Sequence, residues 1–152
     1  MLIFALSAPS RAPAQDAKDS DWAVRCFKQK TCILQTGLLD QKRQPVAILA
    51  LTRNEAKTLV GELRTPTGLL IAKGLKATAG SLQFRPNLIT CLPKACLSSF
   101  DATTDVLRAL KKADAFTVVY TEALTGAEIS LPFSLKGFAA EYEKFLAQEK
   151  QR

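Results

Sequence analysis

The sequence predicts a mainly β domain with one short inserted helix and a C-terminal helix. Along most of the chain the apolar residues alternate with a period of two, the pattern of strands with one buried face. Four cysteines form two close pairs, Cys26 with Cys32 and Cys91 with Cys96, at spacings that a hairpin can close. Helical spacing appears only at residues 102–112 and after Gly137.

The chain is expected to open on an export leader. Met1 to Leu6 is apolar, and Ala12-Pro13-Ala14 before Gln15 has the small-x-small form of a signal-peptidase site. The apolar core is short and no Lys or Arg precedes it, so residues 1–14 are expected to be a signal peptide truncated at its start, with the true start codon upstream. A disordered tail is the competing reading. Residues 15–21 are expected to form a flexible polar lead-in and residues 22–148 the folded domain. After residue 15 no apolar run approaches the roughly 18 residues of a span, so no transmembrane segment is expected. A chain of 152 residues, less this leader, suits one domain with a real core.

Trp22, Val24 and Cys26 share one face of the first strand, and Thr31 to Leu39 returns alongside it. Pro45 to Thr52 is a third strand. Its two faces, Val46/Ile48/Ala50 and Ala47/Leu49/Leu51, are both apolar, which predicts burial on both sides. Thr58 to Arg64 is a fourth, ended by the turn formers Pro66-Thr67-Gly68. Glycines break Leu69 to Gly80 into short strands, and Leu82 and Phe84 mark another with one wet face.

Asp101 is the expected N-cap of a helix over Ala102–Lys112, with Val106, Leu107 and Leu110 inward and Lys111 and Lys112 at the negative end of its dipole. The clearest hairpin follows. Phe116, Val118 and Tyr120 lead through Thr125-Gly126 into Ile129, Leu131, Phe133 and Leu135. Pro132 cannot donate to a ladder, so its strand is expected at a sheet edge. Phe138, Tyr142, Phe145 and Leu146 then lie on one face of the closing helix.

Four cysteines allow three connectivities, and chain entropy favours the distant ones: about 2 kcal/mol for a six-residue loop against about 4 for a loop of sixty or seventy. Geometry favours the local ones. Pro93 pre-sets a turn, and a hairpin with a four-residue loop sets Cys91 opposite Cys96, within disulfide reach. Phe27 to Thr31 serves Cys26 and Cys32 in the same way. Two local disulfides are therefore expected, with cross-pairing of Cys26 to Cys91 or Cys96 as the alternative. Zinc binding fits poorly, because the first gap exceeds the usual C-x₂₋₄-C and the chain has no histidine to substitute. The C-x-x-C of a thioredoxin-like site is absent. Paired cysteines in an exported chain are mostly structural.

Without histidine the serines lack their usual general base. The carboxylate pairs Asp19/Asp21 and Glu141/Glu143 suit a lead-in and a solvated helix face, and the seven glycines form no phosphate-cradling loop. The expectation is a non-enzyme with no cofactor and no metal. The formal charge of +7 favours anionic partners, although a solvated basic surface is the ordinary explanation. Lys28 and Lys30 in the first cysteine loop and Lys94 in the second would make an anion-binding edge if the loops lay side by side, the ordinary alternative being that lysines blunt exposed hairpins. Nucleic acid is not expected, since the aromatics do not interleave with the basic residues.

Asp21-Trp22-x-Val24-x-Cys26, Cys32-x-x-Gln35, Pro66-x-Gly68, Cys91-x-x-x-x-Cys96, Val106-Leu107-x-x-Leu110-Lys111-Lys112 and Ile129-x-Leu131-x-x-Ser134-Leu135-x-Gly137-Phe138 together resemble the invasion-associated locus B (IalB) proteins. The likeness runs from about Asp21 to Leu146. It implies an exported alphaproteobacterial protein, periplasmic or secreted, with an immunoglobulin-like β-sandwich. The implied function is binding or interaction at the cell envelope, aiding host-cell invasion or adhesion. The partner would be an envelope or host-surface protein or an anionic glycan or lipid. A periplasmic structural or stress-related protein with no host role is the alternative.

Overall fold

The computed structural model describes residues 20–28 and 31–151. The expected leader, most of the lead-in and Lys30 therefore lie outside the described residues. In chain order the strands are β1 (Ala23–Cys26), β2 (Cys32–Leu39), β3 (Pro45–Arg53), β4 (Leu59–Thr65), β5 (Leu75–Ala79), β6 (Leu82–Phe84), β7 (Asn87–Leu92) and β8 (Ala95–Asp101). After them come α1 (Thr104–Lys112), β9 (Ala115–Thr121), β10 (Glu128–Ser134) and α2 (Phe138–Lys150), and a 3-10 turn at Ile71–Lys73 precedes β5.

Two antiparallel sheets result, one of six strands in the order β1-β2-β3-β4-β8-β7 and one of four in the order β10-β9-β5-β6. This is the mainly β sandwich that the family likeness implies. Alternation explains its core. Leu34, Leu49, Leu51 and Leu63 from the large sheet face Leu75, Ala77, Phe116, Val118 and Phe133 from the small one, all buried. The six-stranded sheet is wider than its partner, and α2 packs against the inner side of β1 and β2 with Phe138, Tyr142 and Phe145 buried. Arg53, at the end of β3, reaches α2 and donates from Nε to both Glu149 oxygens at 3.0 and 3.1 Å.

Trp22 joins the layers. Its side chain is 2 % exposed, its Nε1 donates to the Ser134 carbonyl at 2.9 Å, and its ring meets the Phe138 ring edge-on at 4.9 Å between centroids. Just before it, Asp21 N donates to Lys136 O at 3.1 Å and Trp22 N to Ser20 Oγ at 3.1 Å. Ser20 and Asp21, inside the segment expected to be flexible, are thus held against the domain. Gly137 permits this close approach: it caps α2 at φ 79°, and a Cβ there would run into Ser20.

On β4, Gly61 pairs across the sheet with Phe100 of β8, whose ring occupies the space over the glycine. That ring lies 5.1 Å from Phe84 and 5.6 Å from Phe116, so the missing side chain on one sheet gives room to an aromatic cluster between both.

Several expectations are corrected. Asp101 does not cap α1. It ends β8, and Ala102 stays with the sheet through its N–H to Leu59 O at 3.1 Å. Thr103 is the cap, its Oγ1 accepting from Val106 N at 3.3 Å. Val106 and Leu110 are buried as expected, while Leu107 is half-buried. The two-sided burial expected of β3 holds only in part: Ala47, Leu49 and Leu51 are inside and Ala50 on the outer face is buried, but Ile48 is half-buried and Val46 is 42 % exposed because no layer covers the outer side of the large sheet. The second cysteine hairpin is tighter than expected, since Leu92 pairs with Ala95 and leaves only Pro93-Lys94 as the turn. Pro132 does stand on an edge strand, β10, opposite Thr117.

Both disulfides are local. Cys26 pairs with Cys32 and Cys91 with Cys96, with Cα atoms 4.0 and 3.9 Å apart. Loops this short constrain the unfolded chain little, so replacing either pair with serines is expected to lower stability by about 2 kcal/mol and leave a folded domain. The denaturant midpoints of the two double variants, read by circular dichroism, check this. Each pair has one buried member, Cys32 and Cys96, so the two losses are expected to be similar.

Candidate functional site

Strand order decides whether the cysteine loops can cooperate. β1 and β7 are opposite edges of the large sheet. Along the strands, Cys32 lies at the Arg53–Leu59 end, whereas Cys96 pairs with Thr65 at the other. Four strand spacings from bridge to bridge and about six residues of offset put the two disulfides roughly 30 Å apart. Lys28 and Lys94 therefore occupy diagonal corners and do not form the single anion-binding edge. Each tips its own loop, exposed to solvent.

A different set of cations does converge. On the outer face of the small sheet a cleft of about 380 Å³ is lined by Lys73 and Gly74 from the 3-10 turn, Lys76 on β5, Arg85 just after β6, Val119, Tyr120 and Thr121 on β9, and Glu128 on β10. Local structure explains the convergence. Gly74 takes φ 62° at the end of the turn, so the chain reverses into β5 and brings Lys73 beside Lys76. Arg85 is held over the same turn by its Nη1, which donates to Lys73 O at 2.9 Å. Three cations meet one carboxylate, and none of the four is in an ion pair among the described residues. Burial, with a smaller contribution from the nearby Glu122 carboxylate, raises the Tyr120 phenol above its ordinary value, so it remains neutral at physiological pH.

A cleft of about 450 Å³ beside the first disulfide sets Arg53 and Lys57 among Glu55 and Glu149, so its charges balance, and the Arg53 guanidinium is committed to Glu149 and to Lys57 O at 3.0 Å. Its role is to fasten α2. Among the described residues no three histidine, cysteine, aspartate or glutamate side chains gather as metal ligands, and no helix is long and apolar enough to cross a membrane.

Sequence reasoning missed Lys73, Lys76 and Arg85. They belong to three separate elements, and their meeting depends on a 3-10 turn and on the β5–β6 pairing rather than on any spacing motif.

Comparison with known proteins agrees with the fold. The chain is 34 % identical over 159 aligned positions to an invasion protein B homolog of Brucella abortus (strain 2308), covering 97 % of this chain and 88 % of that protein. A homolog from Brucella abortus biovar 1 (strain 9-941) matches to the same extent. The crystal structure of invasion associated protein b from Bartonella henselae superposes with a TM-score of 0.74 at 22 % identity, over 86 % of this chain and 94 % of that one. The family model described as invasion associated locus B (IalB) protein matches residues 22–146, which takes in both disulfides, Trp22 and most of α2. The chain belongs to the invasion-associated locus B family.

Proposed function

We propose that this protein is an exported, non-catalytic binding module of the cell envelope, which engages an anionic partner through the cleft of Lys73, Lys76 and Arg85. The observation that carries the reading is the convergence on one cleft of three cations that form no ion pair among the described residues, in a chain of net charge +7. Held by a turn and by the Arg85–Lys73 hydrogen bond, these charges have less freedom to lose on binding than isolated surface lysines. Two disulfides suit an oxidising compartment, and the leader-like N-terminus suits export. The Brucella relatives are named as invasion protein homologs, and adhesion or host-cell entry is the use in which such a module would serve.

The test is retention on an anionic glycan matrix and on phosphatidylglycerol vesicles at low and moderate salt. The variant K73E/K76E/R85E is expected to lose at least about tenfold in retention, and K28E/K94E, which changes charge at the diagonal corners, much less. Equal losses in the two variants would reduce the cleft to a share of the general basic surface. Protease accessibility of the domain on intact cells checks surface display, since strict periplasmic retention would rule out adhesion.

A further inference from the structure

An antiparallel sheet with one face toward water ordinarily carries polar residues on that face. The outer face of the six-stranded sheet carries Gln35, Glu62, Arg64 and Ser99, but mixes them with large apolar residues. It presents Ile33 from β2, Val46 and Ile48 from β3, Leu97 from β8, and Ile89 and Leu92 from β7. Val46, Ile89 and Leu92 are 42, 61 and 51 % exposed. A shallow groove of about 350 Å³ crosses this face from Ile33 to Ile89, and a second of about 410 Å³ adjoins it at Leu92, Pro93 and Leu97.

The charges lining the first groove are Glu62 and Arg64, two residues apart on β4 and on either side of Leu63. Both are exposed, and neither forms an ion pair among the described residues. A carboxylate and a guanidinium spaced equally about one point, within an apolar face, form a self-complementary pattern. A two-fold axis lying in the plane of the interface, perpendicular to β4 and passing over Leu63, would place Glu62 of each copy on Arg64 of the other. The same rotation sets Ile48 against Ala50 of the second copy, because Ile48 pairs with Arg64 and Ala50 with Glu62.

We propose that this face is occupied by a second copy of the chain, giving a symmetric dimer with its large sheets packed face to face and two reciprocal Glu62–Arg64 ion pairs at its centre. Isologous pairing requires one patch to complement itself, and this patch does so in charge. Six strands at sheet spacing and about seven residues of length give roughly 550 Å² per copy, or about 1,100 Å² in all, within the range of specific but reversible interfaces. The inference does not depend on the cationic cleft, which lies on the opposite side of the sandwich.

Sedimentation equilibrium on the exported chain tests it, with dimer expected in the micromolar range. Glu62→Arg and Arg64→Glu each set like charges face to face and are expected to raise the dissociation constant about 100-fold. The double exchange E62R/R64E restores opposite charges at both contacts and is expected to recover the dimer to within about tenfold. Ile89→Lys, also at an exposed position, is expected to give monomer without using the ion pairs. Coincident thermal melts would show that all four variants fold. A wild-type monomer throughout that range, a dimer indifferent to the single exchanges and to Ile89→Lys, or a double exchange that stays monomeric would each overturn the proposal.

Discussion

Replacing Trp22 with alanine is expected to cost about 3–5 kcal/mol, a large share of the stability of a domain this size. Three contributions are lost together: the buried indole, its edge-on contact with Phe138 and the hydrogen bond to Ser134 O. That carbonyl would then lie beside a cavity without its donor, which adds a desolvation cost. Trp22 is the sole tryptophan, so its fluorescence vanishes with the substitution and the denaturant midpoint must be read by far-ultraviolet circular dichroism. Trp22→Phe separates the contributions. It keeps an aromatic ring against Phe138 but not the donor, and is expected to lose about 1–3 kcal/mol. If Trp22→Ala cost under 1 kcal/mol, the residue would not be joining the sheets.

Gly61→Val should be comparably severe, at about 3 kcal/mol, because the side chain would enter the space that the Phe100 ring fills. Valine has the better strand propensity, so a scale based on propensity predicts the opposite sign. Coupling with Phe100 distinguishes this account from a general intolerance of β4. Phe100→Ala alone leaves a cavity and is expected to cost about 3–5 kcal/mol. The double variant G61V/F100A is expected to be about 1–3 kcal/mol more stable than the sum of the two, since each change relieves the other. Additive losses would mean that the glycine serves some other need.

Alternation alone marks most of the strands, and where it fails the cause is physical. The β9–β10 hairpin was plain from Phe116, Val118 and Tyr120 against Leu131 and Phe133, and Pro132 marked its edge. The start of α1 was misplaced because Asp101 and Thr103 are both good caps, and only the Ala102–Leu59 hydrogen bond, a contact distant in sequence, chooses between them. Local disulfides were legible from Pro93 and the spacing. Their placement at diagonal corners was not, because it follows from β7 and β8 joining the far side of β4. The same topology hid the candidate sites. Lys73, Lys76 and Arg85 meet through tertiary pairing, and Val46 and Ile48 read as a buried face because the pattern of a strand does not tell which of its faces another layer will cover.

The two covalent staples also bear on how this chain behaves among its own copies. Both fasten an edge strand of the large sheet to its inner neighbour, β1 to β2 and β7 to β8, while β1 is held at its other end by Trp22. Edge strands are the elements that detach and exchange between molecules, and a hairpin closed by a disulfide cannot open to let its strand be swapped. Each bridge adds only a modest amount to equilibrium stability. Its larger effect is to leave intact faces, rather than exchanged strands, as the route by which two of these domains can associate.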